Sequence, residues 1–350
     1  MELPRLRKTL TVATAAAAAA FAAQAFPAGA DEAAEYFDGK TLNIVVGFGP
    51  SGGYAIYCRQ LVSFMPKYIP GNPNMICQFM PGGGGLKAGN YMYNVAPKDG
   101  STLSMISDYA AVAQLLRPEK VKYDVRDFKW VGVMVPSNPL LTATSDARVK
   151  KFDDLYTTEL ALGVTGKLAQ SGINASLMNK LLGTRIKIIA GYKSTGKVAL
   201  AMQSGEVEAT MSSWISLKAR AKQLFDSGKF VPIVQVGYKR ARDLPDVPLM
   251  REAAKDEETR QVLDLASGAA PFGRSVSVPP GYPKHLLAAL RTAFDKTMKD
   301  KEFLSTAKER NIEIDPSPGA ELDSVVENLL NTPKKIINIA QDAAGITMTN

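Results

Sequence analysis

The residues best placed to do chemistry in this chain are clustered in glycine-rich turns. Gly49-Pro50-Ser51-Gly52-Gly53 satisfies G-x-S-x-G, the spacing of a hydrolase nucleophile elbow, and makes Ser51 a candidate nucleophile. A serine needs a base, and His285 is the only histidine. It falls in the first turn of a predicted helix after Pro283, where capping or surface exposure is the ordinary role. The elbow also follows the first strand of the folded chain, whereas in the hydrolase fold several strands precede it. A secreted serine hydrolase using Ser51 and His285 is therefore kept as the rival reading. Gly47 to Gly52 also reads as G-x-G-x-x-G after a strand and before a helix, the context of a dinucleotide site. No acid stands at the end of the second strand to hold a ribose, since Cys77 and Gln78 are there and the next acid is Asp99. No cofactor is expected. Pro81-Gly82-Gly83-Gly84-Gly85 resembles a phosphate loop without its G-K-[ST], and two cysteines with one histidine argue against a zinc site.

What survives needs no proton-shuttling side chain. A glycine turn that opens a helix presents unpaired backbone N–H groups and the positive end of the helix dipole, which together attract an anion. Two turns have this form, one around Ser51 and one around Thr165-Gly166-Lys167. Facing each other across a cleft, they suit a molecule with one or two carboxylates.

The elements that must hold these turns alternate between strand and helix. Thr41–Phe48, Asn74–Met80 and Thr102–Ile106 read as strands, with helices over Ile56–Met65 and Leu86–Val95 between them. After Pro136 and Pro139 a second run begins. It has strands at Leu160–Thr165, Ile186–Ala190, Ala209–Ser212 and Val231–Val236, and helices at Ile173–Leu182, Val198–Ser204 and Ile215–Ser227. This is the signature of an α/β fold with largely parallel sheets. Leu244–Pro248 looks like a crossing segment. Beyond it the spacing predicts a strand near Ala269–Phe272, helices over Lys284–Lys299 and Lys301–Arg310, a short segment at Glu313–Ile314 and a long helix from Gly319 to Ala340. A helical tail that packs back on the first run gives two lobes joined by two crossings.

Residues 1–30 read as a secretory signal. Arg5, Arg7 and Lys8 precede an apolar run from Leu10 to Phe26, and Ala28-Gly29-Ala30 has the small-x-small pattern of a cleavage site. No cysteine lies near that site, so a lipid anchor is not expected. No other stretch reaches the ~18 uninterrupted apolar residues of a membrane span. With 46% apolar and 22% charged residues, the rest can bury cores of two ordinary domains. The formal charge is +8; the leader's three cations and Glu2 supply two of these, leaving +6. The basic residues are scattered rather than run together, so nucleic acid is not an expected partner. Cys58 and Cys77 either pair, as an oxidising compartment allows, or remain two buried thiols.

GFGPSGGYAIYCR (47–59), FMPGGGGLKAGNYMYNVAPKDGSTLSM (79–105) and LPDVP (244–248) are similar to segments of the periplasmic receptors of tripartite tricarboxylate transporters. Leu162 to Gly166 and Ala190 to Ser194 stand for two further family turns, in the family's order, and the match spans about Tyr36 to Asp342. The resemblance implies a type II periplasmic-binding fold, two α/β lobes with a ligand cleft between them. It places lobe 1 at 36–136 and 245–350 and lobe 2 at 137–244. It also implies a small carboxylate ligand (a di- or tricarboxylate or an aromatic acid), delivery to a membrane permease, and residence in the periplasm. A monomer is the default for a receptor that opens and closes.

The first turn, Phe48, Gly49, Ser51, Gly52, Gly53, Tyr54 and Ala55, and the second, Thr165, Gly166, Lys167 and Ser171, are implied to hold carboxylate oxygens largely through backbone amides. Ser51 and Tyr54 would add hydroxyls. Ala55 stands where many members carry Asp, which argues against an amino-acid ligand. Ser212 replaces another family Asp ahead of Ser213. Lys167 replaces an Asn, as a charge contact or a solvent-facing side chain. Trp214 is either an aromatic wall of the cleft or core packing, and Asp108 either faces the cleft or caps a helix.

Overall fold

The structure, a computed structural model, describes residues 28–192 and 194–346. Most of the expected leader lies outside the described residues; its last three residues open the first helix.

Three runs of elements make the molecule. The first comprises α1 (Ala28–Phe37), β1 (Thr41–Val46), α2 (Gly53–Phe64), β2 (Asn74–Phe79), α3 (Leu86–Asn94), β3 (Thr102–Met105), α4 (Ala110–Leu116) and β4 (Lys129–Val133). The second comprises β5 (Pro139–Thr144), β6 (Leu160–Val164), α5 (Gln170–Leu177), β7 (Ile186–Ala190), α6 (Thr195–Gln203), β8 (Ala209–Ser213), α7 (Trp214–Asp226) and β9 (Phe230–Gln235). The third returns through α8 (Glu257–Ser267), β10 (Ser275–Val278), α9 (Lys284–Thr297), α10 (Lys301–Glu309), β11 (Ser317–Pro318), α11 (Gly319–Leu330) and α12 (Lys334–Ala343).

The first and third runs share a six-stranded sheet, ordered β11-β4-β10-β3-β1-β2, and the second run builds a five-stranded sheet, β7-β6-β8-β5-β9. In each sheet three strands are parallel, β2-β1-β3 and β7-β6-β8, as helical crossovers require. β10 and β5 run antiparallel to their neighbours. TLNIVV of β1 and TLSM of β3 are almost continuously buried because helices cover both faces.

The chain passes between the sheets at 134–138 and returns beyond Gln235. The crossings are tied to each other by side-chain amides. Asn138 Nδ2 donates to Gln235 Oε1 at 3.0 Å and to the Lys239 carbonyl at 2.8 Å. Gln235 is fully buried, and its Nε2 donates to the carbonyls of Leu244 and Val247 at 3.0 and 2.9 Å. The LPDVP segment thus satisfies a buried amide at the crossing. Gly273 lies against the first crossing with φ 33°; a Cβ there would overlap the Val135 carbonyl, so only glycine fits.

One apolar cluster is continuous through both sheets, joining Val45, Trp130 and Val133 to Leu141, Val164, Met211 and Ile233. A second packs α2, α9 and α10 on the outer face of the first sheet. Among the described residues no helix is long and apolar enough to cross a membrane.

Several sequence expectations are corrected. The segment expected as a strand near Ala269–Phe272 holds a single 3₁₀ turn, Ala270–Phe272, and the strand follows as β10. The short segment at Glu313–Ile314 is replaced by β11 at Ser317–Pro318. The long helix from Gly319 breaks before Lys334, because Pro333 brings no N–H and its ring clashes with the preceding turn. β4, β5, α4 and α8 were not anticipated. β5 begins at Pro139, which in the sequence looks like a breaker; proline is tolerated as the first residue of a strand.

Candidate functional site

α2 begins at Gly53, three residues earlier than the apolar spacing implies, so Gly53, Tyr54 and Ala55 form its first turn. Gly52 is the N-cap and no side chain caps the helix. The turn closes on itself through Gly52 N–H to Gly49 O at 3.3 Å and Ala55 N–H to Gly52 O at 3.1 Å. α5 likewise starts without a side-chain cap, after a turn in which Ala169 N–H reaches Gly166 O at 3.1 Å. By contrast α6 and α7 are capped by Ser194 and Ser213. The starts of α3, α4, α9, α11 and α12 also lack a side-chain cap; the turns before α2 and α5 each follow the C-terminal end of a parallel strand, β1 in one sheet and β6 in the other.

Around the first turn the side chains converge. The Phe48 and Tyr54 rings stack with centroids 4.4 Å apart, and the Tyr54 hydroxyl accepts from Asp108 N–H at 2.7 Å. The guanidinium of Arg274 lies 4.0 Å from the Tyr54 ring centroid, a cation–π contact. Arg274 Nη1 is 3.6 Å from Asp108 Oδ2, and its Nη2 donates to Ser213 Oγ at 2.8 Å and Ser216 Oγ at 2.7 Å. Arg274 is 2% exposed, and its Nε is buried with no acceptor. Gly53 packs directly on Ser216: a Cβ at Gly53 would overlap the Ser216 side chain and lie 3.3 Å from Arg274 Nη2.

Burial raises the Asp108 carboxyl above its ordinary value, against the pull of Arg274. Burial, reinforced by the charge of Asp108, also raises Tyr54, so its hydroxyl stays protonated. Asp108 does not cap the following helix, since α4 has no side-chain cap. On α7 the guanidinium of Arg220 folds back to donate from Nε to Ser216 O at 3.2 Å. Its pKa is lowered, first by desolvation and then by the charge of Arg274.

The structure therefore brings Phe48, Gly53, Tyr54, Asp108 and Ser213 into one cluster, with Ala55 buried beneath it and Ser51 exposed at its edge. In the second turn Thr165 and Lys167 are exposed, and Gly166 and Ser171 half-buried. Arg117, at the end of α4, ties this turn to the first run: its Nη1 donates to the Leu168 carbonyl at 3.2 Å. Trp214 is 6% exposed and packs with Leu140 and Leu217, edge-on to Phe225, its indole N–H bonded to Asp243 at 2.8 Å. That environment is packing rather than an open wall.

His285 lies 3.8 Å from Glu32, on a helix whose neighbour Leu286 packs against Gly100, just before the N-terminal end of β3. Ser51 follows the C-terminal end of β1, which is parallel to β3. The hydrolase pair is thus held at opposite ends of one sheet, about 20 Å of strand apart.

Arg274, Ser216 and Arg220 were missed from the sequence. A signal for the first existed: Arg274 is the single charge in LASGAAPFGRSVSV (265–278), and a lone arginine among small and apolar residues is a buried-charge pattern. Cys58 and Cys77, left open in the sequence, form a disulfide that ties α2 to β2.

No curated protein matches the sequence. Among solved structures, a solute-binding protein from Polaromonas without ligand superposes with TM-score 0.61 at 17% identity, over 86% of this chain and 98% of that one. A protein of R. palustris solved with adipate gives TM-score 0.65 at 19% identity, over 87% and 97%. MatC of Rhodopseudomonas palustris with bound malate gives 0.62 at 20%, over 87% and 99%. These likenesses show the fold, two α/β lobes of the periplasmic-binding kind. The sequence profile of the tripartite tricarboxylate transporter family receptor matches residues 58–341. Since that match covers most of the chain and the fold agrees with it, this protein belongs to the tripartite tricarboxylate transporter receptor family.

Proposed function

We propose that the protein is an extracytoplasmic receptor that binds a small carboxylate between the turns at 48–55 and 165–171 and delivers it to a membrane permease. The observation that carries this reading is the pair of uncapped helix starts, α2 and α5, at the C-terminal ends of parallel strands in two different sheets. Such starts offer amide donors and a favourable dipole to an anion. Adipate and malate in two structures of the same fold support a dicarboxylate class. The lobes are 36–136 with 245–350, and 137–244; the chain works as a monomer in the periplasm once residues 1–30 are removed. Binding without chemical conversion is its role.

The test is a thermal-shift screen of the purified protein against di-, tri- and aromatic carboxylates, beside an ester-hydrolysis screen. A ligand that binds only the folded state at 100 times its Kd adds about 2.7 kcal/mol of stability. At least one carboxylate should raise the melting temperature, with no turnover. A protein that ignores every carboxylate but hydrolyses esters, and loses that activity in Ser51→Ala, would overturn the reading.

A further inference from the structure

At the seam between α2 and α7 one arginine is left without a carboxylate partner. Two guanidiniums meet at Ser216: Arg274 donates to its hydroxyl and Arg220 to its carbonyl. The first turn of α2 lies on the same serine through Gly53. Both α2, of 12 residues, and α7, of 13, direct their N-terminal ends here, adding two positive dipole ends. Three carboxylates lie around this seam: Asp108 faces Arg274, and Asp243 and Glu313 both face Lys218 of α7.

Arg220 has no carboxylate partner among the described residues. The nearby acids are committed elsewhere: Asp243 and Glu313 both pair with Lys218, and Asp243 also accepts from the Trp214 indole. With Nε held on Ser216 O, both Nη groups of Arg220 remain without an acceptor on a solvent-facing side chain. Arg274 Nε is likewise without a partner, though buried. A planar fork with free N–H groups, positioned by its third nitrogen, matches a carboxylate in two-point contact.

We propose that Arg220 determines specificity, binding one carboxylate of a dicarboxylate whose other carboxylate is held by the backbone amides of the turns. This rests on the receptor reading above. It adds that selection for a second negative charge is made by a side chain, where amide-lined turns alone accept a monoacid equally well.

The experiment is titration calorimetry of wild type, Arg220→Gln and Arg220→Lys with succinate, L-malate and adipate, and with the monomethyl ester of whichever diacid binds best. Unliganded melting temperatures check that each variant is folded; Arg220→Lys covers the case of a disturbed Arg220→Gln. Arg220→Gln should weaken the diacid about 10- to 100-fold, as expected for loss of a two-point charged contact. Its monoester should bind wild type and Arg220→Gln alike, and Arg220→Lys should fall between the two for the diacid. Diacid affinity within twofold of wild type in folded Arg220→Gln overturns the assignment, as does an equal loss for diacid and monoester. Failure of wild type to bind any of the three acids strikes instead at the dicarboxylate reading itself, and removes the inference with it.

Discussion

A buried arginine decides how the first turn is held. Arg274 grips Ser213, which caps α7, and Ser216 within it, faces Asp108 and stacks on Tyr54, so four side chains take their positions from one guanidinium. Arg274→Met removes the counter-charge but leaves Asp108 buried, a change that typically costs 3–5 kcal/mol. The loss should depend on pH with a definite sign. Asp108 already has a folded-state pKa above its unfolded value of 3.8, so the folded state binds its proton more tightly. Stability from this group therefore falls as pH rises from the unfolded to the folded pKa. Without Arg274 the folded pKa climbs further, and the deficit of Arg274→Met should shrink on acidification as Asp108 becomes neutral. Urea titrations of both proteins from pH 7 to pH 4 measure this; a deficit that is constant or grows toward pH 4 contradicts it. At this scale Asp108, Tyr54 and Gly53 could be named as candidates from the sequence, and the structure brings them together. Arg274 was not among them, since it arrives from a distant strand and only packing shows what it touches.

The element that most needs support is α2, whose uncapped start carries the turn. The disulfide joins its second turn to the edge strand β2 across a separation of 19 residues. Closing a loop of that size stabilises a fold by about 3 kcal/mol. The double variant Cys58→Ser, Cys77→Ser should unfold at lower denaturant by roughly that amount. It should also bind its carboxylate more weakly, because the helix start is no longer tethered to the sheet. Paired denaturation and calorimetry measure both, and unchanged values would mean that packing of Tyr57 and Leu61, buried on the same helix, holds α2 alone. Element existence was readable wherever apolar spacing was regular, as in β1 and α9. It failed where local chemistry and tertiary context disagree, as in β5. There a proline opens a strand that is stabilised by pairing with β8 and β9, neither of which is near it in sequence.

As a whole the molecule has two sheets but a shared apolar cluster. Contacts of that kind couple the unfolding of both units. One tryptophan lies in each: Trp130 in β4 and Trp214 at the start of α7. The single-tryptophan variants Trp130→Phe and Trp214→Phe should each show a fluorescence midpoint that coincides with that protein's own circular-dichroism midpoint. Separate transitions for the two reporters would mean the lobes unfold independently. Residue order alone determined the α/β class, the two glycine turns, the existence of a second run of elements and the family, because these rest on periodicity and short motifs that survive without neighbours. It also carried the expectation of a leader and of an anion held by amides. Only the tertiary structure decided that Cys58 meets Cys77, that Ser51 and His285 stand at opposite ends of a sheet, and that Arg220 and Arg274 converge on Ser216. Apart from the short step from Ser216 to Arg220, those relations join residues from 19 to more than 200 positions apart, and the free energy that sets them comes from burying the cores, about which spacing along the chain is silent.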